Sequence, residues 1–260
     1  MKRTCKMTIV LMLIASVFIL ASCDGLFTTS MMSGAARDPG KAAEALAKKP
    51  TKDLAADAKD AADMSSAQAV VGALSAQALQ DPSVITSLKP EEKVDIINAA
   101  VTASIDKTAL FDKDKVGFDL VGMMSGDENA VSDDVEPEDI IKAIIENTAE
   151  CDTTCIVVIL DDALTTDASG NAELDPNLDP ELKANLTMGA IAVVASVIPE
   201  DVNMDDLMDS MEGDAADAGD MASDILGAEA TPEKTAALTT ALTVLSLLFA
   251  DGSGIFGMGD

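Results

Sequence analysis

Two cysteines four residues apart, Cys151 and Cys155, are the clearest candidates for chemistry in this 260-residue chain. In a helical segment, one turn would separate their side chains by about 6 Å, near the upper end of disulfide geometry. An even pair oxidises in an extracytoplasmic compartment, so a structural disulfide is the leading interpretation. Two buried free thiols are the alternative. A metal or redox pair comes last, because the spacing matches neither Cys-x-x-Cys nor a haem-attachment motif.

Thioether and apolar side chains form a second candidate group near the carboxyl end, at positions i, i+3, i+4 and i+7: Met204, Leu207, Met208 and Met211. With acidic residues between them, this spacing predicts an amphipathic helix that has a soft, adaptable face. The face is explained most simply by core packing, and it is also a candidate contact for a ligand or a partner protein. Coordination of Cu(I) is a further alternative, which the absence of His weakens.

Other familiar chemistry lacks its residues. The chain has no His, which removes Ser-His-Asp and Cys-His catalysis and His-ligated zinc, and it has no Trp or Tyr for stacking sugars or bases. The segment 112–117 resembles the start of a calcium loop, but Met123 stands where the bidentate Glu is required. Oxygen-bearing side chains also cluster in the segment 167–175, which is a solvated loop or a weak calcium site. The sequence predicts no enzyme, no bound metal and no cofactor.

The amino terminus carries a different kind of signal. Lys2, Arg3 and Lys6 precede an uncharged apolar run, Met7–Leu20, which is short for a spanning helix and leads into the sequence Leu20-Ala21-Ser22-Cys23. This layout resembles the signal peptide of bacterial lipoproteins. The resemblance implies that the peptide is cleaved before Cys23. It also implies that Cys23 is linked to diacylglycerol and that its new amino group is acylated.

Charge restricts the possible partners. The chain has 17 Lys and Arg against 46 Asp and Glu, a formal net charge of −29. Removal of residues 1–22, which hold three basic residues and no acidic one, would bring the charge to −32. Such a surface repels nucleic acid and anionic lipid headgroups. Basic protein surfaces and cations are the attractive partners that remain.

The organisation predicted from these signals is a signal peptide, a tether and one domain. Residues 1–22 are the cleaved peptide, 23–40 a lipidated flexible tether, 41–250 a single helical domain, and 251–260 a flexible Gly-rich tail. The domain is predicted to be all-α, either a multi-helix bundle or a short irregular α-solenoid.

Alanine and proline set the predicted helices. The Ala-rich segment 41–80 predicts two helices that divide near Pro50, because alanine has the highest helix propensity and proline interrupts a helix. Four Pro-Glu pairs predict helix starts, at Pro90, Pro137, Pro180 and Pro232. Their spacing is compatible with a degenerate helical repeat. The simpler alternative is that Pro-Glu is a common helix start.

Three apolar segments are each compatible with more than one structure. The uncharged segments 184–198 and 235–250 are shorter than a bilayer requires and predict buried core helices. Thr153–Leu160 is rich in β-branched residues, but no partner strand of similar quality exists, so a helix is predicted.

Together these features predict an exported protein of the bacterial cell envelope, anchored to a membrane through lipid on Cys23 on its periplasmic or surface face. The expected role is non-catalytic: an interaction or accessory protein that presents an acidic helical surface to an envelope protein partner. The alternative is a ligand- or metal-binding lipoprotein that holds an apolar molecule or a cation between helices, with Met204–Met211 as the contact.

Overall fold

The computed structural model confirms an all-α, multi-helix fold with one small hairpin. It describes residues 38–104, 147–149, 151–199, 202, 207 and 215–250. The α-helices among these residues are α1 (Pro39–Leu46), α2 (Thr51–Lys59), α3 (Met64–Gln80), α4 (Ser83–Thr86), α5 (Pro90–Ser104), α6 (Thr154–Asp162), α7 (Pro180–Val197), α8 (Ala218–Leu226) and α9 (Pro232–Ala250). Short 3₁₀ turns, Ala215–Asp217 and Gly227–Glu229, flank α8.

Three of the four predicted Pro-Glu helix starts are confirmed, since α5, α7 and α9 begin at Pro90, Pro180 and Pro232. The fourth, Pro137, lies outside the described residues. The Asp179 carboxylate caps α7 by accepting from the backbone N–H groups of Glu181 and Leu182, at 2.9 and 3.3 Å. Such a cap satisfies amides that have no partner inside the helix.

The amino-terminal helices differ from the prediction in number. The division at Pro50 is confirmed, but a second break near Asp63 makes three helices instead of two. The cause is local: the Asp63 carboxylate accepts from the Ser66 N–H at 2.9 Å, and the Ser66 hydroxyl lies 3.4 Å from the Asp63 N–H. This reciprocal capping box starts α3 afresh. Helix α1 begins at Pro39, two residues earlier than the predicted domain start.

The helices pack around one hydrophobic core. Helix α6 is short and central: it contacts five other helices, α3, α4, α5, α7 and α9. Its contact with α3, about 80 residues earlier in the chain, is the kind of distant contact that distinguishes a bundle from a solenoid, in which each unit touches only its neighbours. Helix α7 lies between α5 and α9. The described part of the chain therefore forms a helical bundle.

The two uncharged segments are core helices, as predicted. In α7, the residues from Leu186 to Val194 are all buried, and in α9 those from Leu238 to Leu245 are buried except for Thr239 and Thr240. Burial of so much Ala, Val, Ile and Leu, at roughly 25 cal/mol per Å² of apolar surface, is what holds the bundle together. None of the helices in the described ranges is both long and apolar enough to cross a membrane.

A small hairpin was missed by the sequence analysis. Strand β1 (Leu164–Thr166) pairs antiparallel with β2 (Ala172–Leu174), and Leu164 lies opposite Leu174. Three-residue strands carry too little periodicity to be recognised, so the sequence predicts a loop here. The turn is closed by the Asp167 carboxylate, which accepts from the backbone N–H groups of Ser169 and Asn171 at 2.8 Å each. Thus Asp167, the first carboxylate of the oxygen-rich segment 167–175, closes a turn.

Candidate functional site

The structure places only part of the predicted site residues. Cys151, Cys155 and Leu207 are described, whereas Cys23, Met204, Met208 and Met211 lie outside the described residues. Leu207 is helical and 0% exposed, so that this position of the predicted methionine face belongs to the hydrophobic core. The ligand or partner role of the three methionines stays a prediction.

The two cysteines lie at the amino end of α6, in a turn that a serine of α3 holds in place. Cys155 is the second residue of the helix, and Cys151 precedes the helix by three residues. The buried Ser75 hydroxyl donates to the Asp152 carbonyl at 2.8 Å and accepts from the Cys155 N–H at 3.2 Å. One side chain thereby provides hydrogen-bond partners for two backbone groups of the turn.

Hydroxyl groups also join this turn to α7. The hydroxyls of Thr153 and Ser196 lie 2.8 Å apart, and the Ser196 hydroxyl donates to the Val193 carbonyl, also at 2.8 Å. The Asp152 carboxylate caps the turn by accepting from the Thr154 N–H at 3.0 Å. The turn is therefore fixed from α3 on one side and from α7 on the other.

Both thiols are free in the structure, and their nearest partners differ. The Cys155 sulfur is 3.9 Å from the Val71 carbonyl oxygen and is completely buried. Cys151 is half-buried beside Ser104. Burial raises the pKa of both thiols from 9.0 to about 12, and the negative charge of Asp152 adds to the rise. The neighbouring hydroxyls, Ser104 for Cys151 and Ser75 for Cys155, oppose it.

These surroundings give the thiols little reactivity at neutral pH. The thiolate is the nucleophile and the metal ligand, and a pKa near 12 leaves almost none of it. Because Cys151 precedes the helix, the one-turn geometry assumed for a helical pair does not apply to it. The disulfide between Cys151 and Cys155 stays a prediction for an oxidised form of the protein.

The other end of α6 is tied to α5 by an ion pair. Lys93 Nζ lies 2.6 Å from Asp162 Oδ2, and the Lys93 side chain is only 9% exposed against 36% for Asp162. A buried ammonium requires a partner, since taking an unpaired charge out of water costs several kcal/mol. Lys93 therefore depends on Asp162 more than the exposed Asp162 depends on Lys93.

The described surface is strongly acidic toward the carboxyl end. Residues 151–199 and 215–250 contain thirteen acidic residues but only two basic ones, Lys183 and Lys234. By contrast, acidic and basic residues are equal in number over residues 38–60. The acidic character is therefore concentrated in the second half of the bundle.

The clearest acidic face runs along α8 and the residue just before it: Asp217, which directly precedes the helix, and Asp220 and Asp224 within it are exposed at spacings of three and four residues. We call these three residues the α8 acidic stripe. The opposite face of α8, made by Ala218, Ala222 and Leu226, is buried against α9. Within the described residues, none of the three carboxylates of the stripe forms an ion pair. The stripe thus carries three uncompensated charges on a helix whose other face is fixed.

A second acidic group lies where α2 ends and α5 and α7 begin. Asp95, on α5, is half-buried, and burial raises the pKa of its carboxyl. The charges of Glu181, Asp60 and Glu91 raise it further, while Lys59 opposes them. No group of three or more candidate metal-binding side chains is found in the portion of the chain that the structure describes.

Three functionally or structurally important contacts were missed by the sequence analysis. Ser75 and Lys93 meet partners 77 and 69 residues away, and nothing in their local sequence signals those contacts. Gln77, on α3, holds the loop between α1 and α2 by donating to the carbonyls of Ala47 and Lys49, at 2.9 and 2.7 Å. Ser75 and Gln77 are polar residues in an Ala-rich helix, but the sequence does not indicate their partners.

Comparison with known proteins returned no match: no protein-family model, curated protein or solved structure is significantly similar to this chain.

Proposed function

We propose that this chain is a lipid-anchored protein of the bacterial cell envelope whose acidic helical surface binds a basic envelope protein, in a non-catalytic accessory role. The observation that carries the proposal is the α8 acidic stripe. Its carboxylates are exposed and without ion pairs among the described residues, and the helix that bears them is packed through its other face. A basic partner can approach such a stripe without rearranging the bundle.

Electrostatics favours this kind of recognition. Attraction between exposed charges extends over a Debye length, about 8 Å at physiological ionic strength. Complementary charge accelerates association and selects partners more than it adds affinity. With a net charge of −29, the chain repels other acidic surfaces and favours basic ones.

The membrane anchor rests on the sequence around Cys23. Burial of each lipid methylene contributes about 0.8 kcal/mol, so that two or three acyl chains hold a protein stably without a spanning helix. Replacement Cys23→Ala is expected to abolish incorporation of radiolabelled palmitate and to release the protein from the membrane fraction. Cys5→Ala, inside the predicted signal peptide, is the matched control and is expected to leave labelling unchanged. Labelling of the Cys23→Ala variant would contradict the assigned anchor.

The binding role is tested by crosslinking in intact membranes followed by mass spectrometry of the captured protein. A specific partner with a basic surface is expected, and its recovery is expected to fall at high salt. The test variant carries Asp217→Asn, Asp220→Asn and Asp224→Asn and is expected to lose the crosslink.

A control with the same change in net charge separates the stripe from overall charge. It carries Glu44→Gln, Asp53→Asn and Glu173→Gln, which neutralise three exposed carboxylates scattered over other elements. Capture is expected to survive in this variant. Equal loss of the crosslink in both triple variants would show that overall charge, and not the stripe, governs binding. Retention in the stripe variant would exclude the stripe as the binding surface.

A further inference from the structure

The burial of the cysteine turn has a consequence for its redox chemistry. Cys155 is 0% exposed, and its backbone is held by the Ser75 hydroxyl, so that a disulfide reagent cannot reach its sulfur unless α6 separates from α3. Cys151 is only half-buried and is the more accessible thiol. In the unfolded chain neither restriction exists, and cysteines four residues apart close a small loop readily.

We propose that folding fixes the redox state of the Cys151–Cys155 pair: the unfolded chain is oxidised readily by small disulfides, whereas a chain that folds in the reduced form keeps both thiols. The inference stands on the described turn and holds whether or not the proposed anchor and partner are correct. It also means that any disulfide here forms before α6 packs into the bundle.

The reaction that folding blocks is ordinary thiol–disulfide exchange. The thiolate of one cysteine attacks an oxidant disulfide such as oxidised glutathione, which forms a mixed disulfide and releases one glutathione thiol. The thiolate of the other cysteine then attacks the sulfur of the first and releases the second glutathione. The cysteines lose two protons and two electrons, and the oxidant gains them as two thiols.

Two separate effects slow this exchange in the folded protein. The first is scarcity of thiolate: burial raises the pKa of both thiols, and although a higher pKa also makes the thiolate more nucleophilic, the net effect is slower attack, by about tenfold or more. The second is steric and applies most strongly to Cys155, which becomes accessible only when the core opens. The combined slowing is therefore expected to exceed about tenfold.

The experiment uses the full chain with Cys5→Ser and Cys23→Ser, so that Cys151 and Cys155 are its remaining thiols. Reduced protein, either folded or unfolded in urea, is exposed to oxidised glutathione, and the reaction is stopped with acid. The protein is then denatured and alkylated with N-ethylmaleimide, and its intact mass is measured by mass spectrometry. Unfolded protein is expected to lose both alkylation sites to a disulfide, and folded protein is expected to keep both, with an oxidation rate more than about tenfold lower. Rates within tenfold of each other, or no disulfide in the unfolded chain, would overturn the proposal.

Single-cysteine variants identify the contribution of burial. Each variant keeps one thiol, which can form only a mixed disulfide with glutathione. The remaining thiol is the half-buried Cys151 in the Cys155→Ser variant and the buried Cys155 in the Cys151→Ser variant. Folded Cys151→Ser protein is expected to react more slowly than folded Cys155→Ser protein, and the two are expected to react alike in urea. The reverse order in the folded state would contradict protection by the core. Circular dichroism of each variant confirms that the folded samples are folded.

Discussion

At the scale of single residues, Gly189 shows how tightly the centre of the bundle is packed. A Cβ at this position would lie 3.3 Å from Ile156 Cγ2 and 3.5 Å from two carbons of Ile97. Gly219, on the surface helix α8, has the same helical conformation, but its nearest neighbour would be Thr239 Cγ2 at 4.0 Å. Both glycines are helical, Gly189 in the middle of α7 and Gly219 in the first turn of α8, and they differ in the space around them.

Replacement of each glycine by alanine measures this difference. Gly219→Ala is expected to raise the free energy of unfolding by about 0.5–1 kcal/mol, because alanine is the better helix former. For Gly189→Ala, the change in the free energy of unfolding is expected to be at least about 1 kcal/mol less favourable than for Gly219→Ala. The reason is that the buried, β-branched side chain of Ile156 cannot move easily to make room for a methyl group. Urea denaturation of both variants gives the values. An equal gain at both positions would mean that α7 has room to move away from α6.

Asp95 provides the clearest pH-dependent residue. Its folded-state pKa is raised, mainly by burial, so that folding favours the protonated carboxyl. The resulting penalty is complete at neutral pH and disappears as the pH falls through the folded-state pKa toward the unfolded one. Asp95→Asn is therefore expected to stabilise the protein at pH 7, and its advantage is expected to vanish in acid.

Asp81→Asn is the matched control of opposite sign. Hydrogen bonds from the Ser83 hydroxyl and N–H lower the pKa of Asp81, so its carboxylate stabilises the fold above the unfolded-state pKa and loses that effect in acid. This variant is expected to be less stable than the parent at pH 7 and equal to it in acid. Urea denaturation at several pH values compares each variant with the parent, which cancels the contribution of the other carboxylates. Parallel pH profiles for the two variants would contradict both assignments.

At the scale of the elements, α6 is held at both ends by side chains from helices far away in the chain. Ser75→Ala removes the hydroxyl that joins α3 to the turn before α6. The Cys155 N–H and the Asp152 carbonyl each lose their hydrogen bond to that hydroxyl. A loss of about 1–3 kcal/mol in the free energy of unfolding is expected. Ser223→Ala is the control, because that exposed hydroxyl donates only to the Gly219 carbonyl of its own helix. Equal small effects would show that water replaces the Ser75 hydroxyl.

The elements also show how far the sequence predicts this fold. Helix starts at Pro90, Pro180 and Pro232 follow from local chemistry, and so does the burial of the uncharged segments of α7 and α9. The sequence predicts a helix over Thr153–Leu160 despite its β-branched residues, because no partner strand of similar quality exists, and the structure has a helix at Thr154–Asp162. The burial of Lys93 was not predictable, because only its pairing with Asp162 from a distant helix allows it. Local signals thus predict elements, and contacts across the chain decide which polar residues become structural.

At the scale of the whole molecule, net charge sets the response to salt. A chain with a formal charge of −29 repels itself in the compact state, and α8 adds three carboxylates without ion pairs among the described residues. Raising NaCl from about 0.1 M to about 1 M shortens the Debye length from about 10 Å to about 3 Å. This screening is expected to raise the Tm of the protein, measured by differential scanning calorimetry. The variant in which Asp217, Asp220 and Asp224 are replaced by Asn is expected to have a higher Tm than the parent at low salt. Its Tm is also expected to rise less when NaCl is added. A fall in Tm with salt would instead mean that attractive pairs, such as Lys49 with Asp57 at 2.7 Å, outweigh the repulsion.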